Sequence, residues 1–249
     1  MPRIVHAASS DRGLKRVANE DKWAADPELQ LYLVADGIGG QPAGGFAAKQ
    51  VVESLPKMLR SRFPYPIDKF RIAAEVGVES LLRELSDRIR DDAAQNPALK
   101  GLGATVVLAW LLEKQALISH LGDSRAYLFR AGQLKCLTRD HTFARVLVNR
   151  GMILEQQTEE HPTRHILTEF VGMEDDPQPE SQLISLLPDD RLLLCSDGLT
   201  DEVSDARIEQ LLTKKAQTAS AVSALTREAI DNGGHDNVTA LLVDVGVKP

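Results

Sequence analysis

Residues Val34–Ala48 read VADGIGGQPAGGFAA. They close the apolar run LYLVA, place Asp36 at its end, and continue through Gly37, Gly39, Gly40, Gly44 and Gly45. An uninterrupted run of apolar and β-branched residues this short reads as a strand buried on both faces. A carboxylate at its end, beside backbone with few side chains, is a poor core element and a plausible ligand.

The same juxtaposition recurs. Asp197 follows LLLCS, Asp236 directly precedes NVTALLVDV, and Asp123 sits in HLGDSRAYL between two apolar runs. Glu20 and Asp21, in RVANED, stand just ahead of another candidate strand. Taken singly, an Asp-Gly pair is an ordinary turn. Taken together, strand ends cluster at the edges of a sandwich, so these acids can converge. Converging carboxylates raise one another's pKa and stay ionised only beside a cation. The chain holds no Cys-x-x-Cys or His-x-x-x-His pair, and oxygen donors suit Mg²⁺, Mn²⁺ or Ca²⁺ rather than zinc. EF-hand spacing is absent, which counts against a calcium sensor. Two such ions sharing a carboxylate form a clamp for phosphoryl chemistry. Bare glycine backbone after Asp36 then admits a carbonyl ligand and a phosphate. Arg16, four residues before Glu20, is a guanidinium placed to grip phosphate oxygens.

Around these sites the chain alternates between two textures. The spacing predicts helices over residues 44–60 and 68–92, the second capped by Asp68. From TVVLAWLL to LKCLT, short runs separated by EKQ and AGQ read as an antiparallel meander. TFARVLVNRG reads as a short helix, and DRLLLCSDG as a further strand. Helices follow over about 205–213 and 218–232, and NVTALLVDV closes the pattern as a strand. Helices come in pairs and strands in hairpins, without βαβ alternation. The economical architecture is α+β: two mostly antiparallel sheets packed together, with helix pairs outside. No linker divides the 249 residues, which are read as one domain.

Lys and Arg number 29 against 36 Asp and Glu, a net charge of −7. That argues against nucleic acid and anionic membranes as partners. No apolar run is long enough to span a bilayer. Cys136 and Cys195 lie in apolar runs and read as buried, unpaired thiols, as expected of a cytoplasmic protein.

The order RVANED, VADGIGG, GATVVLAWL, LGDSRAYL, LTRDHT, LCSDGLTDEV, HDNVTALLV resembles the metal-dependent protein serine/threonine phosphatases of type 2C, in their compact bacterial form. The resemblance runs from about Asp11 to Asp244. It implies an αββα four-layer sandwich with a binuclear Mn²⁺ or Mg²⁺ centre and a weaker third metal site. It implies that Asp36 bridges the two metals. The Gly37 carbonyl and, through water, Glu20 would serve one; Asp197 and Asp236 would hold the other. Asp123 with Asp197 would form the third site. Arg16 would bind the substrate phosphate, Asp21 would support the ligands, and Asn237 would orient Asp236 by hydrogen bonding. The implied reaction is hydrolysis of phosphoserine and phosphothreonine in proteins by direct attack of a metal-bridging water, reversing a cognate serine/threonine kinase.

Ile38 departs from many eukaryotic relatives, which carry a histidine there. Bacterial relatives often have an apolar residue at this place. His161, His165 and His235 are alternative proton donors, and His120 reads as a core histidine. Residues 141–179 correspond to the family's flap, in which Arg164 is a candidate for selecting protein substrates. Competing readings are a non-catalytic binding module on the same fold and another two-metal phosphohydrolase such as a nuclease. The intact ligand set disfavours the first, and the acidic charge disfavours the second.

Overall fold

The computed structural model describes residues 4–38, 43–63, 71–99, 101–214 and 217–246. Asp68, the expected cap of the second helix, lies outside them, as do Gly39 and Gly40. In chain order the elements are β1 (Ile4–Asp11), β2 (Lys22–Asp26), β3 (Leu31–Ala35), β4 (Gly37–Ile38), α1 (Ala43–Arg62), α2 (Arg71–Gln95), β5 (Gly103–Ala104), β6 (Val106–Leu112), β7 (Gln115–Leu121) and β8 (Arg125–Arg130). Then come β9 (Gln133–Cys136), α3 (Phe143–Asn149), β10 (Glu180–Ser185), β11 (Arg191–Cys195), α4 (Asp197–Thr200), α5 (Asp205–Lys214), α6 (Thr218–Asn232) and β12 (Val238–Val245).

Two five-stranded sheets form, in the orders β1-β12-β11-β8-β9 and β10-β7-β6-β3-β2, with every neighbouring pair antiparallel. Their inner faces meet through Tyr32, Val34, Val107, Leu192, Leu194 and Leu241. The alternate residues of the same strands face outward. Leu31, Leu33, Leu108 and Trp110 pack under Val51, Leu55 and Leu85 of α1 and α2. Leu193, Ala240 and Leu242 pack under Ile208, Val222 and Leu225 of α5 and α6. The result is four layers: helix pair, sheet, sheet, helix pair. Because β3, β6, β11 and β12 are covered on both faces, they read as solid apolar runs rather than alternating ones.

β10 falls where the sequence signals no strand. ESQLIS is a half-exposed edge strand paired only to β7, so no periodic apolar face marks it. Both cysteines are free, and burial pushes the Cys195 thiol pKa up. No helix among the described residues is long and apolar enough to cross a membrane.

Candidate metal centre

Antiparallel pairing brings the exits of β3, β7 and β11 and the entries of β2, β8 and β12 to one end of the sandwich. Asp36, Asp123 and Asp197 follow the three exits, while Glu20 and Asp236 precede two of the entries. Together with Arg16, Gly37 and Asn237 they line a cleft of about 690 Å³. Every residue singled out as a metal ligand therefore reaches the same cleft.

Burial, then the charges of Asp21, Asp197, Asp123 and Asp236, push the Asp36 carboxyl well above its usual range. Asp197 is raised in the same way, by burial and then by Asp123, Asp201 and Asp236. Asp123 is pushed up to about 7, by burial first and Asp140 second. Acids buried and crowded in this way stay ionised only beside a compensating cation. Oxygens Oε1 of Glu20 and Oδ1 of Asp197 are buried and have no hydrogen-bond partner among the described residues. A buried acceptor left unmade costs about 1–3 kcal/mol or more when charged. Acceptor-only carboxylate oxygens lining one cleft fit hard divalent cations.

Asp21 lies behind this centre, nearly wholly buried, and takes a hydrogen bond from Ser196 Oγ at 2.7 Å. The Ser196 hydroxyl in turn accepts from the Thr239 amide at 3.0 Å, so the exits of β11 and the entry of β12 hold Asp21 in place.

The glycines act by close approach between loops. A Cβ on Gly37 would lie 2.3 Å from the carbonyl of Gly44, and one on Gly198 would lie 2.0 Å from the carbonyl oxygen of Asn237. Gly37 and Gly44 let the start of α1 press against the exit of β3, beside Glu20.

Arg16 Nη2 donates to Asp236 Oδ2 at 2.5 Å, and its side chain is 51% exposed. Asn237 does hydrogen-bond Asp236, as expected, and it does more. Its backbone N–H, not its side chain, bonds Asp236 Oδ1 at 2.7 Å. Its side chain donates to the carbonyls of Arg12 and Ala18 and accepts the Glu20 amide at 2.7 Å. It thus staples the loop bearing Arg16 and Glu20 to the start of β12.

Asp201 was not singled out from the sequence. It lies one helical turn after Asp197, groups with Asp197 and His165, and accepts from no partner closer than His165 at 3.7 Å and Arg164 at 3.9 Å among the ion pairs described. The spacing Asp197-x-x-x-Asp201 was the available signal, since it puts both on one helix face. Arg164 and His165 reach the cleft from the segment between α3 and β10, and His235 reaches it from just before β12, its Nδ1 2.6 Å from Glu202 Oε1. His161 is engaged with Thr163 instead. His120 is buried, as expected.

Comparison with known proteins gives the following. A family model for protein phosphatase 2C matches residues 15–232. The serine/threonine phosphatase Stp of Listeria innocua is 31% identical over 238 residues, covering 94% of this chain and 93% of the relative. The crystal structure of the Mycobacterium tuberculosis serine/threonine phosphatase PstP superposes with a TM-score of 0.84 at 33% identity, over 98% of this chain and 99% of that one. A PstP catalytic domain in complex with two manganese ions gives a TM-score of 0.80 at 32% identity, over 97% and 98%.

Proposed function

This chain belongs to the protein phosphatase 2C family, and from that premise we propose how this metal-dependent serine/threonine phosphatase works and what it acts on. The substrate is a phosphoserine or phosphothreonine side chain of a protein, marked in the cytosol by a partner serine/threonine kinase. Residues 1–249 act as one catalytic domain, with residues 141–179 as a flap.

Asp36 would bridge two Mn²⁺ or Mg²⁺ ions. The Gly37 carbonyl and Glu20 would complete one site, and Asp197 and Asp236 the other. Asp123 and Asp197, with Asp201 beside them, would hold a third ion more weakly. Bound there, the ions supply a water of lowered pKa as nucleophile and positive charge against the phosphoryl oxygens. The observation that carries this reading is the pair of buried oxygens on Glu20 and Asp197 without a partner among the described residues, in the same cleft as an Asp36 that burial first, and then neighbouring acids, drive toward protonation.

The chain's own groups do the rest. Arg16 exchanges Asp236 for phosphate oxygens, binding them in its planar fork and neutralising charge as the P–O bond breaks. Asp21 and Ser196 keep the ligand loops fixed from behind. Asn237 keeps Arg16 and Glu20 at constant separation from Asp236. No side chain is needed as nucleophile, and Ile38 contributes no proton to the departing alkoxide.

Hydrolysis of a phosphothreonine peptide is the test. Turnover is expected only with added Mn²⁺ or Mg²⁺, lost in chelator and regained on readdition. Full-rate turnover in chelator would remove the metal from the mechanism.

A further inference from the structure

Away from the carboxylate cleft, His120, His141 and Glu180 gather where β7 and β10 meet the segment after β9. The two imidazoles stack with centroids 4.5 Å apart. A metal-binding histidine offers the ion a bare nitrogen and donates its other N–H elsewhere. His120 meets that condition, since its Nε2 lies 2.8 Å from the Arg139 carbonyl oxygen. His141 does not. Its Nδ1 accepts the Gly122 amide at 3.2 Å, so the single proton of the neutral ring sits on Nε2, facing Glu180 Oε1 at 3.6 Å. Burial, and then the His120 ring, lower the His141 pKa to about 4, which keeps the ring neutral at physiological pH. His141 is an acceptor for backbone rather than for an ion.

The contact with Gly122 is reciprocal, for the His141 amide donates to the Gly122 carbonyl at 3.0 Å. Hydrogen bonds leave this joint in two directions. Toward the flap, the Thr168 amide donates to the His141 carbonyl at 2.9 Å, Thr142 bridges to Leu167, and the Phe143 amide donates to the Ile166 carbonyl at 2.8 Å. The two sides of the flap's neck are thus paired, with His141 and Thr168 at the end of that pairing nearest Gly122. Toward the metal centre, Gly122 leads directly into Asp123. Ser124 Oγ shares a hydrogen with Thr105 Oγ1 at 2.6 Å, and Thr105 Oγ1 accepts the Asp36 amide at 3.2 Å. Gly122 has φ +114°, and a Cβ there would lie 2.6 Å from the Thr105 side chain. The turn is thus clamped between Thr105 on one side and His141 on the other.

We propose that His141 is a positioning residue whose Nδ1 sets the Gly122–Asp123 turn, so that the flap's neck and the Asp123 carboxylate hold each other in register. The proposal rests on the reading of Asp123 as a metal ligand. Residues that orient a ligand in this way cost about 10–100-fold in metal affinity when lost.

The test is Mn²⁺ binding to the whole protein by calorimetry, comparing His141→Asn with His141→Gln. Asn puts an acceptor where Nδ1 was. Gln fills more of the ring's volume but carries its amide at the Nε2 position. Gln is expected to weaken the weakest class of Mn²⁺ sites by about tenfold or more, with Asn restoring most of that affinity. A role in packing alone predicts the reverse order. Wild-type binding by Gln, or equal loss in both variants, overturns the proposal. If Gln does not fold, Ser124→Ala probes the same path from the other side of the turn. It is expected to weaken those sites, and unchanged binding overturns the proposal. Asp123→Asn separates the two readings. If it loses the weak ion while His141→Gln keeps it, only the role of His141 falls. If it binds like wild type, ligation by Asp123 falls, and the proposal with it.

Discussion

At the end of the sandwich away from the cleft, Asp244 meets Arg191 at 2.8 and 3.2 Å and takes the Thr218 hydroxyl at 2.6 Å, while Asp190 meets Arg130 at 2.7 and 2.6 Å and takes the Leu187 amide at 2.7 Å. At the cleft end, Glu20 Oε1 and Asp197 Oδ1 are buried with no hydrogen-bond donor among the described residues, and the Asp36 and Asp197 carboxyls are pushed well above their usual range by burial and then by neighbouring acids. β11 runs between the two, from Asp190 and Arg191 at one end to Asp197 at the other. Carboxylates are buried in both places, but only one end neutralises itself. The far end ties β8, β11 and β12 of one sheet to one another and to α6. The cleft end retains an electrostatic imbalance that a divalent cation resolves.

The contrast is sharpest in Asp36→Asn. Removing one preorganised electrostatic group from an active site costs about 10²–10³ in turnover. A bridging ligand should cost at least 10³, about 4 kcal/mol of barrier. Circular dichroism and thermal melting in chelator should show an intact fold no less stable than wild type, because one repelling charge is gone. Near-normal kcat would undo the assignment of Asp36.

Asp244→Ala should behave in the opposite way. It breaks the buried pair with Arg191, a loss of about 3–5 kcal/mol in stability. The kcat of the folded fraction should be unchanged. Equal damage to kcat from both variants would erase the distinction between the ends.

The next effect is a pH dependence in chelator. Asp36, Asp123 and Asp197 have folded-state pKa values raised above their unfolded ones. Below the unfolded value of about 4 they are protonated in both states, and their crowding costs nothing. As pH rises from there through about 7, the folded value of Asp123, the unfolded chain releases protons more readily and stability falls. Saturating Mn²⁺ should flatten this fall. Melting temperatures across pH 4–8 with and without Mn²⁺ check it, and parallel curves would contradict the repulsion.

Arg164→Ala should produce the smallest change. Arg164 is partly exposed, and its nearest carboxylate, on Asp201, is 3.9 Å away. Exposed pairs contribute about 0–1 kcal/mol, so a KM increase of at most about fivefold is expected. That rise should appear with a phosphoprotein and not with a small aryl phosphate. An equal rise for both would place Arg164 at the phosphate instead of along the polypeptide.

Legibility in the sequence follows burial. LYLVA, VVLAWLL and RLLLC announce strands because both faces of each are covered, leaving no polar position to obscure the run. ESQLIS does not, since an edge strand owes its conformation to hydrogen bonds with β7 rather than to side-chain pattern. The acids at strand ends stood out because a carboxylate ending a buried strand conflicts with its surroundings. Asp201 stood out less, being one acid in an ordinary helical turn. The bond from Asn237 to Asp236 joins neighbours in sequence and was expected, but the further bonds of its side chain were not legible. Its side-chain partners Arg12, Ala18 and Glu20 lie more than two hundred positions away, and no local pattern encodes that distance.

The linear order of residues determined which strands are doubly covered, which of them end in acid, and, through the oxygen-only donor set, the class of cation those acids suit. Chain folding decided that the acids meet, because antiparallel pairing places alternate strand ends on one side of two sheets. It also decided which carboxylates find an arginine and which are left without a donor, and it set His141 against the turn before Asp123. Those outcomes depend on contacts between positions far apart in the chain, and only packing creates them.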